Sequence, residues 1–464
     1  MNSLLRTNQT IAAIATAISS GQGGIAIIRV SGPLAEEVCK KIVYVPGKQS
    51  WESHKIIYGH VMDEEKEKQI DEVLLLIMKA PRSFTGEDIV EIHCHGGLIV
   101  VQSILDLVLA HPDVRRAMPG EFSQRAVLNG KLNLTQAEAI SDLISARSEK
   151  AAQLAIAGLN GNIKRTISSL RNRLLDQLSE IEARVDFEDE LEPLNEKKVL
   201  HEICLIQEGI QKIINDGKRV ACFRNGLKVA IIGRPNVGKS SLLNKISRYK
   251  KAIVTDQPGT TRDLVESEIV LEGIPIILVD TAGIRPTNNE AEKMGISLSK
   301  NALIESDIVI LMFNISEGWS KEDQIIFDDI PKETPTIIVG NKNDLQESKK
   351  AVAAINNSPL NQEIILSSTL TGEGEDLLIN NLLDLASSSK TEGIEMALNE
   401  RQQDLAKKAA DALNRTQEVA AQQLPWDFWT IDIREAIHVL GELTGEEITE
   451  AVLERIFSRF CIGK

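Results

Sequence analysis

The stretch Gly233-Arg-Pro-Asn-Val-Gly-Lys-Ser240 places the tightest constraint on how this chain folds. It follows the apolar run Lys228-Val-Ala-Ile-Ile232, which reads as a buried strand, and precedes Ser241-Leu-Leu-Asn-Lys-Ile246, which reads as a helix. A strand, a glycine-bounded loop and a helix in that order form a phosphate-binding loop within an α/β domain. The glycines let backbone N–H groups close on phosphates. Lys239 is then placed to reach the β- and γ-phosphates, and the Ser240 hydroxyl to ligate Mg²⁺.

Two further stretches narrow the ligand. Asp280-Thr-Ala-Gly283 follows the apolar Ile276-Ile-Leu-Val279, so a carboxylate and a glycine N–H fall at a strand end. In Asn341-Lys-Asn-Asp344, the Asp344 carboxylate can accept from both the N1–H and the exocyclic amine of guanine. Adenine offers no such pair of donors, so the three stretches together predict a chain that binds and hydrolyses GTP. The position after Asp-x-x-Gly, where many small GTPases carry a water-orienting glutamine, is Ile284. In Thr255-Asp-Gln-Pro-Gly-Thr-Thr-Arg-Asp263, Thr261 is the natural second hydroxyl for Mg²⁺, while Arg262 reads as a solvated loop charge. Charge neutralisation and water positioning therefore need another device.

With 464 residues, two to four domains are expected. The balance of 52 basic against 67 acidic residues, net −15, argues against a generic polyanion binder but leaves room for a local basic face that meets RNA. Five scattered cysteines (39, 94, 204, 222 and 461) have no metal-ligand spacing and fit reduced thiols in the cytoplasm. No stretch approaches the roughly 20 apolar residues of a membrane span. The run Ile11 to Ile18 reads as part of the fold in preference to a targeting peptide, because only Arg6 precedes it and a strand pattern follows.

Residues 1 to about 125 mix strand and helix patterns: Ile25 to Val30, Val73 to Met78 and Ile89 to Cys94 read as strands, and Leu98 to Ala110 as an amphipathic helix. From about 126 to 225 the spacing turns helical. One stripe runs through Ile163, Ile167, Leu170, Leu174, Leu178, Ile181 and Val185, another through Leu200, Ile203, Ile206, Ile210 and Ile213. Gly158 and Gly161 mark a turn between helices. The GTPase segment covers 226–386, Ser387 to Gly393 reads as a linker, and helices resume in 387–464 with a break at Pro425. The expected organisation is thus a multidomain α/β and all-α protein, in which a Ras-like P-loop GTPase domain interrupts a helical domain.

Several signals are weaker. Gly21-Gln-Gly-Gly24 precedes a strand instead of following one, so it is no dinucleotide loop. His93 and His95 share a strand face without a partner ligand pair, which favours packing. Cys461 reads as a positional cysteine, and Lys164-Arg165, Arg171 to Arg173 and Lys407-Lys408 read as helical surface charge.

Beyond the GTPase motifs, the chain carries Ser83-Phe-Thr-Gly-Glu-Asp-Ile-Val-Glu-Ile-His-Cys-His-Gly-Gly97, Pro119-Gly-Glu-Phe-Ser-Gln-Arg-Ala126, Asn129-Gly-Lys-Leu-Asn-Leu-Thr-Gln-Ala-Glu-Ala139, Asp280 to Arg285, and Phe460-Cys-Ile-Gly-Lys464. In these stretches, over essentially its full length, it resembles the tRNA-modifying GTPases of the MnmE (TrmE) family. That resemblance implies an N-terminal α/β domain that binds tetrahydrofolate and dimerises. It also implies a helical domain, an inserted GTPase domain, and action with a flavin-binding partner, MnmG (GidA). The implied reaction adds a carboxymethylaminomethyl or aminomethyl group to C5 of the wobble uridine of certain tRNAs. Its carbon unit comes from 5,10-methylenetetrahydrofolate or 5-formyltetrahydrofolate.

Carried over residue by residue, the resemblance makes Asn236, Thr255, Gln257 and Thr260 ligands of K⁺, whose charge beside the phosphates would replace an arginine finger. It makes Glu292 the residue that positions the water; taken alone, Glu292 reads as an exposed loop carboxylate. The GTP- or GDP-binding set comprises Asn236, Val237, Gly238, Lys239, Ser240 and Ser241; Thr255, Asp256, Gln257, Pro258, Gly259, Thr260 and Thr261; Asp280, Thr281, Ala282 and Gly283; and Asn341, Lys342, Asp344, Ser368, Thr369 and Leu370. Arg29, Glu91, Lys131 and Lys464 match the folate positions: a carboxylate suits the amide edge of a pterin, and cations suit its glutamyl tail. The rival reading is a GTP-dependent binding switch, such as a ribosome-assembly factor, without modification chemistry.

Overall fold

The computed structural model describes residues 9–18, 23–63, 68–187, 189–190, 192–247, 252–254, 265–271, 273–280, 303, 306–345, 364–386, 394, 396–447, 449–458, 460 and 463. They fall into two compact units, one of residues 1–141, 158–211 and 400–464, the other of 142–157 and 212–399.

The first unit begins with a seven-stranded sheet in the order β3-β4-β5-β6-β2-β1-β7. Its strands are β1 (Thr10–Ile14), β2 (Ile25–Ser31), β3 (Val43–Tyr44), β4 (Ile56–Asp63), β5 (Lys68–Met78), β6 (Ile89–His95) and β7 (Val114–Arg116). All neighbours are antiparallel except β1 and β7. Alternation along β2 and β5 sends Ile28, Val30, Val73, Leu75 and Ile77 into one core. Helices α1 (Ala35–Ile42) and α2 (Leu98–Leu109) pack into the same core, α2 through Val101, Ile104, Leu105 and Val108. A short helix α3 (Glu121–Leu128) follows.

The helical part of this unit contains α4 (Leu134–Ser145, up to residue 141), α6 (Asn162–Asp186), the start of α7 (Glu196–Asn225), α11 (Glu400–Ala421), α12 (Trp426–Thr444) and α13 (Glu450–Phe457). The stripe Ile163, Ile167, Leu170, Leu174, Leu178 and Ile181 on α6 is buried, as its spacing requires. Pro425 caps α12, where its fixed φ suits a helix start. The buried face of α11 combines Leu405 and Leu413 with alanines 406, 409, 410 and 412, and the small side chains let neighbouring helices approach closely. Glu138 on α4 is a charged side chain buried in this interior. It accepts from Arg401 Nε at 2.6 Å, Arg401 Nη2 at 2.8 Å and Gln402 Nε2 at 2.7 Å. Arg401 Nη2 also donates to the Leu443 carbonyl at 3.3 Å, so one ion pair joins α4, α11 and the end of α12.

The second unit has another seven-stranded sheet, β14-β13-β12-β8-β11-β10-β9. These are β8 (Leu227–Ile232), β9 (Ala252–Val254), β10 (Val265–Leu271), β11 (Ile274–Asp280), β12 (Ile308–Asn314), β13 (Thr336–Asn341) and β14 (Ile364–Leu366). Five are mutually parallel, with β9 and β10 running antiparallel at one edge. All seven residues of β12 are buried, as expected of a central parallel strand covered on both faces. The unit also takes in α5 (Glu149–Leu159, up to residue 157) and the rest of α7, and helices α8 (Lys239–Ser247), α9 (Lys321–Asp328) and α10 (Glu375–Ala386) follow strands in the doubly wound manner. Among the described residues no helix is long and apolar enough to cross a membrane.

Truncating Arg401 would leave the buried Glu138 carboxylate short of its main cation. We therefore expect Arg401→Ala to destabilise the first unit by about 3 kcal/mol. The Glu138→Gln/Arg401→Met double variant should lose much less, as read from urea unfolding midpoints.

Candidate functional site

In a doubly wound sheet the carboxyl ends of the parallel strands share one edge, where ligands bind. Here β8 delivers Gly233, β11 ends on Asp280, β13 ends on Asn341 and β14 leads to Ser367. Asp280 lies opposite Ile231 in the β8–β11 register, beside the start of the phosphate loop.

The loop's glycines are needed for space as well as conformation. Gly233 has φ 143°, and a β-carbon there would stand 2.1 Å from the Met312 carbonyl. Gly238 has φ 107°, and a β-carbon would stand 2.3 Å from Asn341 Nδ2. Asn236 takes the left-handed region at φ 64°, which asparagine tolerates better than most residues. Such turns aim successive N–H groups into one concavity, the geometry of an anion nest. Lys239 opens α8 and is 6% exposed; its Nζ donates to the carbonyls of Gly233 at 2.7 Å and Arg234 at 2.8 Å. Val237 is buried, while Ser240 and Ser241 are exposed at the same helix start. Asn236 and Ser240 offer the oxygen donors that hard cations take.

Arg234 was not singled out by its sequence pattern. Its Nε donates to Asp323 Oδ1 at 2.8 Å, and Asp323 is fully buried. The other Asp323 oxygen accepts from the Ser320 N–H at 2.9 Å and hydroxyl at 2.7 Å, capping α9. One carboxylate thus caps a helix and pins the phosphate loop, and its hydrogen bond raises the Arg234 guanidinium above its ordinary value. The pattern Ser320-x-x-Asp323 signals the cap; nothing local signals the partner 89 residues away.

The guanine side is organised by Asn341, which is fully buried. Its Nδ2 donates to the Val237 carbonyl at 2.7 Å and to Thr369 Oγ1 at 3.3 Å, while its Oδ1 accepts from the Thr369 N–H at 3.0 Å. Phosphate loop, guanine loop and the Ser368-Thr369-Leu370 loop therefore meet on one amide. Lys342 follows with φ 67°, and the Asn343 N–H returns to the Ser367 carbonyl at 3.1 Å. Asp344 is exposed, with Oδ1 accepting from the Ser368 hydroxyl at 2.6 Å. That hydroxyl in turn accepts from the Thr371 N–H at 3.1 Å, which fixes it as a donor toward Asp344. Leu370, 81% exposed, makes its loop available to a planar ligand.

Thr255, Asp256, Gln257, Pro258, Gly259, Thr260, Thr261, Thr281, Ala282, Gly283, Glu292 and Lys464 lie outside the described residues.

A second cluster forms on the N-terminal sheet. Arg29 on β2 and Glu91 on β6 face each other in register, with Arg29 Nε donating to Glu91 Oε1 at 2.8 Å. The guanidinium stands 5.5 Å from the Phe84 ring and 5.6 Å from that of Phe122, and Arg29 Nη1 donates to the Gly463 carbonyl at 3.3 Å. The neighbour of Lys464 therefore reaches this cluster. Lys131 lies against the loop from Pro81 to Glu87, where its Nζ donates to the Pro81 carbonyl at 2.9 Å. Buried Arg125 holds Glu87 at 3.0 Å and Glu121 at 3.0 Å, and Ser31 donates to Glu87 at 2.8 Å. Burial works to raise the Glu121 carboxyl, but hydrogen bonds from Arg115 and the Met118 N–H with the nearby Arg125 charge hold it below its ordinary value. The donor set fits a folate: a carboxylate for the amide edge, aromatic rings beside it and a lysine for the tail.

A parallel sheet with a glycine-bounded phosphate loop and a carboxylate poised for guanine defines a P-loop GTPase, with GTP or GDP as its ligand. Residues 10–131 match the family model for the GTP-binding protein TrmE N-terminus, and residues 134–461 that for the MnmE helical domain. Relatives named tRNA modification GTPase MnmE align from end to end. One from Prochlorococcus marinus is 60% identical over 100% of both chains, and one from a Synechococcus species is 58% identical over 98% of this chain and 99% of its own. A solved structure of Era from Aquifex aeolicus bound to GDP and AlF4⁻ is 29% identical over 40% of this chain and 66% of its own, at a TM-score of 0.29. The chain belongs to the tRNA modification GTPase MnmE family.

The Asp344 geometry makes base choice testable. Asp344→Asn should weaken GTP binding at least about a hundredfold and favour xanthosine triphosphate, whose 2-oxo group matches an amide donor. Competition binding of the two nucleotides reads the switch. Asn341→Ala, which leaves three loops unjoined, should weaken both nucleotides together.

Proposed function

We propose that this GTPase uses its hydrolysis cycle to drive modification of tRNA. With a flavin-dependent partner of the MnmG (GidA) kind, it adds a carboxymethylaminomethyl or aminomethyl group to C5 of the wobble uridine of certain tRNAs. The carbon unit is drawn from 5,10-methylenetetrahydrofolate or 5-formyltetrahydrofolate. One observation carries the reading: Asp344, held by Ser368 for guanine, belongs to a chain matched along its whole length at 60% identity by a tRNA modification GTPase.

In the proposed division, 1–125 binds folate and dimerises, 126–225 and 387–464 form the helical body, and 226–386 is the GTPase. Asp344 and the Ser368 loop select the base, and Lys239 with the loop N–H groups holds the phosphates. Ser240 and Thr261 hold Mg²⁺, Asn236, Thr255, Gln257 and Thr260 hold K⁺, and Glu292 orients the attacking water. When bound, K⁺ supplies the positive charge that an arginine finger provides elsewhere. Arg29, Glu91, Lys131 and Lys464 hold the folate. The directly bonded Arg29–Glu91 pair supports this assignment, because a pure binding switch has no use for such a cluster. Exposed apolar side chains on the sheet face of the Arg29–Glu91 pair support a homodimer: Ile25, Tyr58 and Leu74 are 69, 40 and 46% exposed. The protein acts in the cytoplasm.

Steady-state GTP hydrolysis should be at least about tenfold faster in KCl than in NaCl at equal ionic strength. Equal rates would remove the cation from the mechanism while leaving GTP binding intact. In cells lacking the gene, nucleoside mass spectrometry of tRNA should show the wobble uridines unmodified. The wild-type gene should restore them and Lys239→Ala should not; unchanged uridines in the deletion strain would favour the binding-switch reading.

A further inference from the structure

The unit that holds the nucleotide site takes in residues 142–157 and 212–225, outside the span 226–386 expected for the GTPase. They form a layer built on its sheet. Leu154 on α5 and Phe223 on α7 share one buried core with Ile231 of β8, Leu242 of α8, and Ile269 and Leu271 of β10. Buried Ser148 sets where α5 begins: its hydroxyl accepts from the Ala151 N–H at 3.1 Å and donates to the Phe223 carbonyl at 3.2 Å. Arg224 of α7 donates from Nη2 to Asp142 Oδ2 at 2.8 Å and from Nη1 to the Leu398 carbonyl at 3.1 Å. Arg147, the residue before the Ser148 cap, is thereby placed at β10, where its Nη1 donates to Glu268 Oε1 at 2.6 Å.

The start of β10 borders the nucleotide edge of the sheet. Its first residue, Val265, lies opposite Asp280, the residue on which β11 ends. Glu268 follows three residues later, about 10 Å along at the usual strand rise. On the outer side, β9 pairs with Ile269 to Leu271 among the described residues. The half of β10 nearest the nucleotide edge is therefore held by β11 on one side and by Arg147 at Glu268. We propose that Arg147 is a positioning residue for GTP hydrolysis: its grip on Glu268 fixes the start of β10 against Asp280, and with it the geometry in which the γ-phosphate is attacked. The proposal rests on the GTPase reading of the site. Other elements meet the nucleotide itself, Asp344 and the Ser368 loop for the base and the phosphate loop with Lys239 for the phosphates. Loss of Arg147 therefore acts on turnover and leaves affinity in place. With side chains 32 and 24% exposed, the ion pair adds little to global stability. A reacting group displaced by about 1 Å nonetheless slows a reaction about a hundredfold.

Steady-state kinetics of the full-length protein test this. Arg147→Gln and Glu268→Gln should each lower kcat for GTP about tenfold, with KM and the affinity for GDP within about twofold of wild type. The two losses should not add, and the swapped pair Arg147→Glu/Glu268→Arg should recover most of the rate that Arg147→Glu alone loses. In the nucleotide-free protein, amide hydrogen exchange of Arg147→Gln should quicken along β10 and stay as it was along β8, which also controls for folding. An unchanged kcat, unchanged exchange at β10, an affinity that falls as far as the rate, or a swapped pair no faster than Arg147→Glu would overturn the positioning role. Each of those results leaves hydrolysis by the wild type, and so the GTPase reading, in place. A wild type that hydrolyses no GTP would overturn both.

Discussion

The buried amide of Asn341 is the contact on which the nucleotide site depends. An amide sealed from water costs several kcal/mol unless its hydrogen bonds are made. Here they are made only by bringing together the Val237 carbonyl of the phosphate loop and both the N–H and hydroxyl of Thr369. The penalty for separating any one loop is thus shared by the others, so base recognition and phosphate binding become one cooperative structure. Gly238 belongs to the same constraint, because Asn341 Nδ2 occupies the space a side chain would need. The sequence elements Gly-Lys-Ser and Asn-Lys-x-Asp are separated by about a hundred residues, yet each fixes what the other can be.

A second layer of constraint comes from arginine. Arg234 pins the phosphate loop to Asp323, Arg125 joins Glu87 to Glu121, Arg401 joins α4 to two other helices, and Arg29 crosses from β2 to Glu91. In each case a guanidinium meets a carboxylate that is largely or wholly buried, the arrangement in which its planar fork is most effective. Truncating one partner in such a pair costs more than the pair contributes, since the other charge is left desolvated. This gives physical meaning to the N-terminal motifs. In Pro119-Gly-Glu-Phe-Ser-Gln-Arg-Ala126, Glu121 and Arg125 are one helical turn apart and anchor the loop from Pro81 to Glu87, and Phe122 lies under Arg29.

Legibility followed the range of the interactions. The phosphate loop could be read because strand, glycines and helix are contiguous, and the stripe on α6 because leucine and isoleucine at helical spacing carry a strong signal. The carboxylate proposed to select guanine could be read from hydrogen-bond chemistry alone, but not its tether, since Ser368 lies in another loop. Arg29 and Glu91 each look like unremarkable strand charges until the sheet order places β2 beside β6, although three strands come between them in the chain. The buried face of α11 carries a fainter signal for a different reason: four of its members are alanines, which bury little area each. The scaffold role of Arg234 could not be read because its partner, Asp323, lies 89 residues along the chain.

These arrangements reconcile an acidic chain with polyanionic ligands. Net charge governs how a protein steers in bulk solution, but binding depends on which charges remain available at the site. Arginines are largely spent on internal carboxylates, which neutralises acid where it is buried. Lys239 at the phosphate loop and Lys131 at the Pro81–Glu87 loop are cations whose ammonium groups donate to backbone carbonyls. An ammonium on a flexible stem can exchange a backbone carbonyl, such as Gly233 for Lys239 or Pro81 for Lys131, for an incoming anion at small cost. A bidentate arginine pair could not make that exchange without stranding its carboxylate, so the division of labour between the two cations separates what must stay fixed from what must respond to ligand.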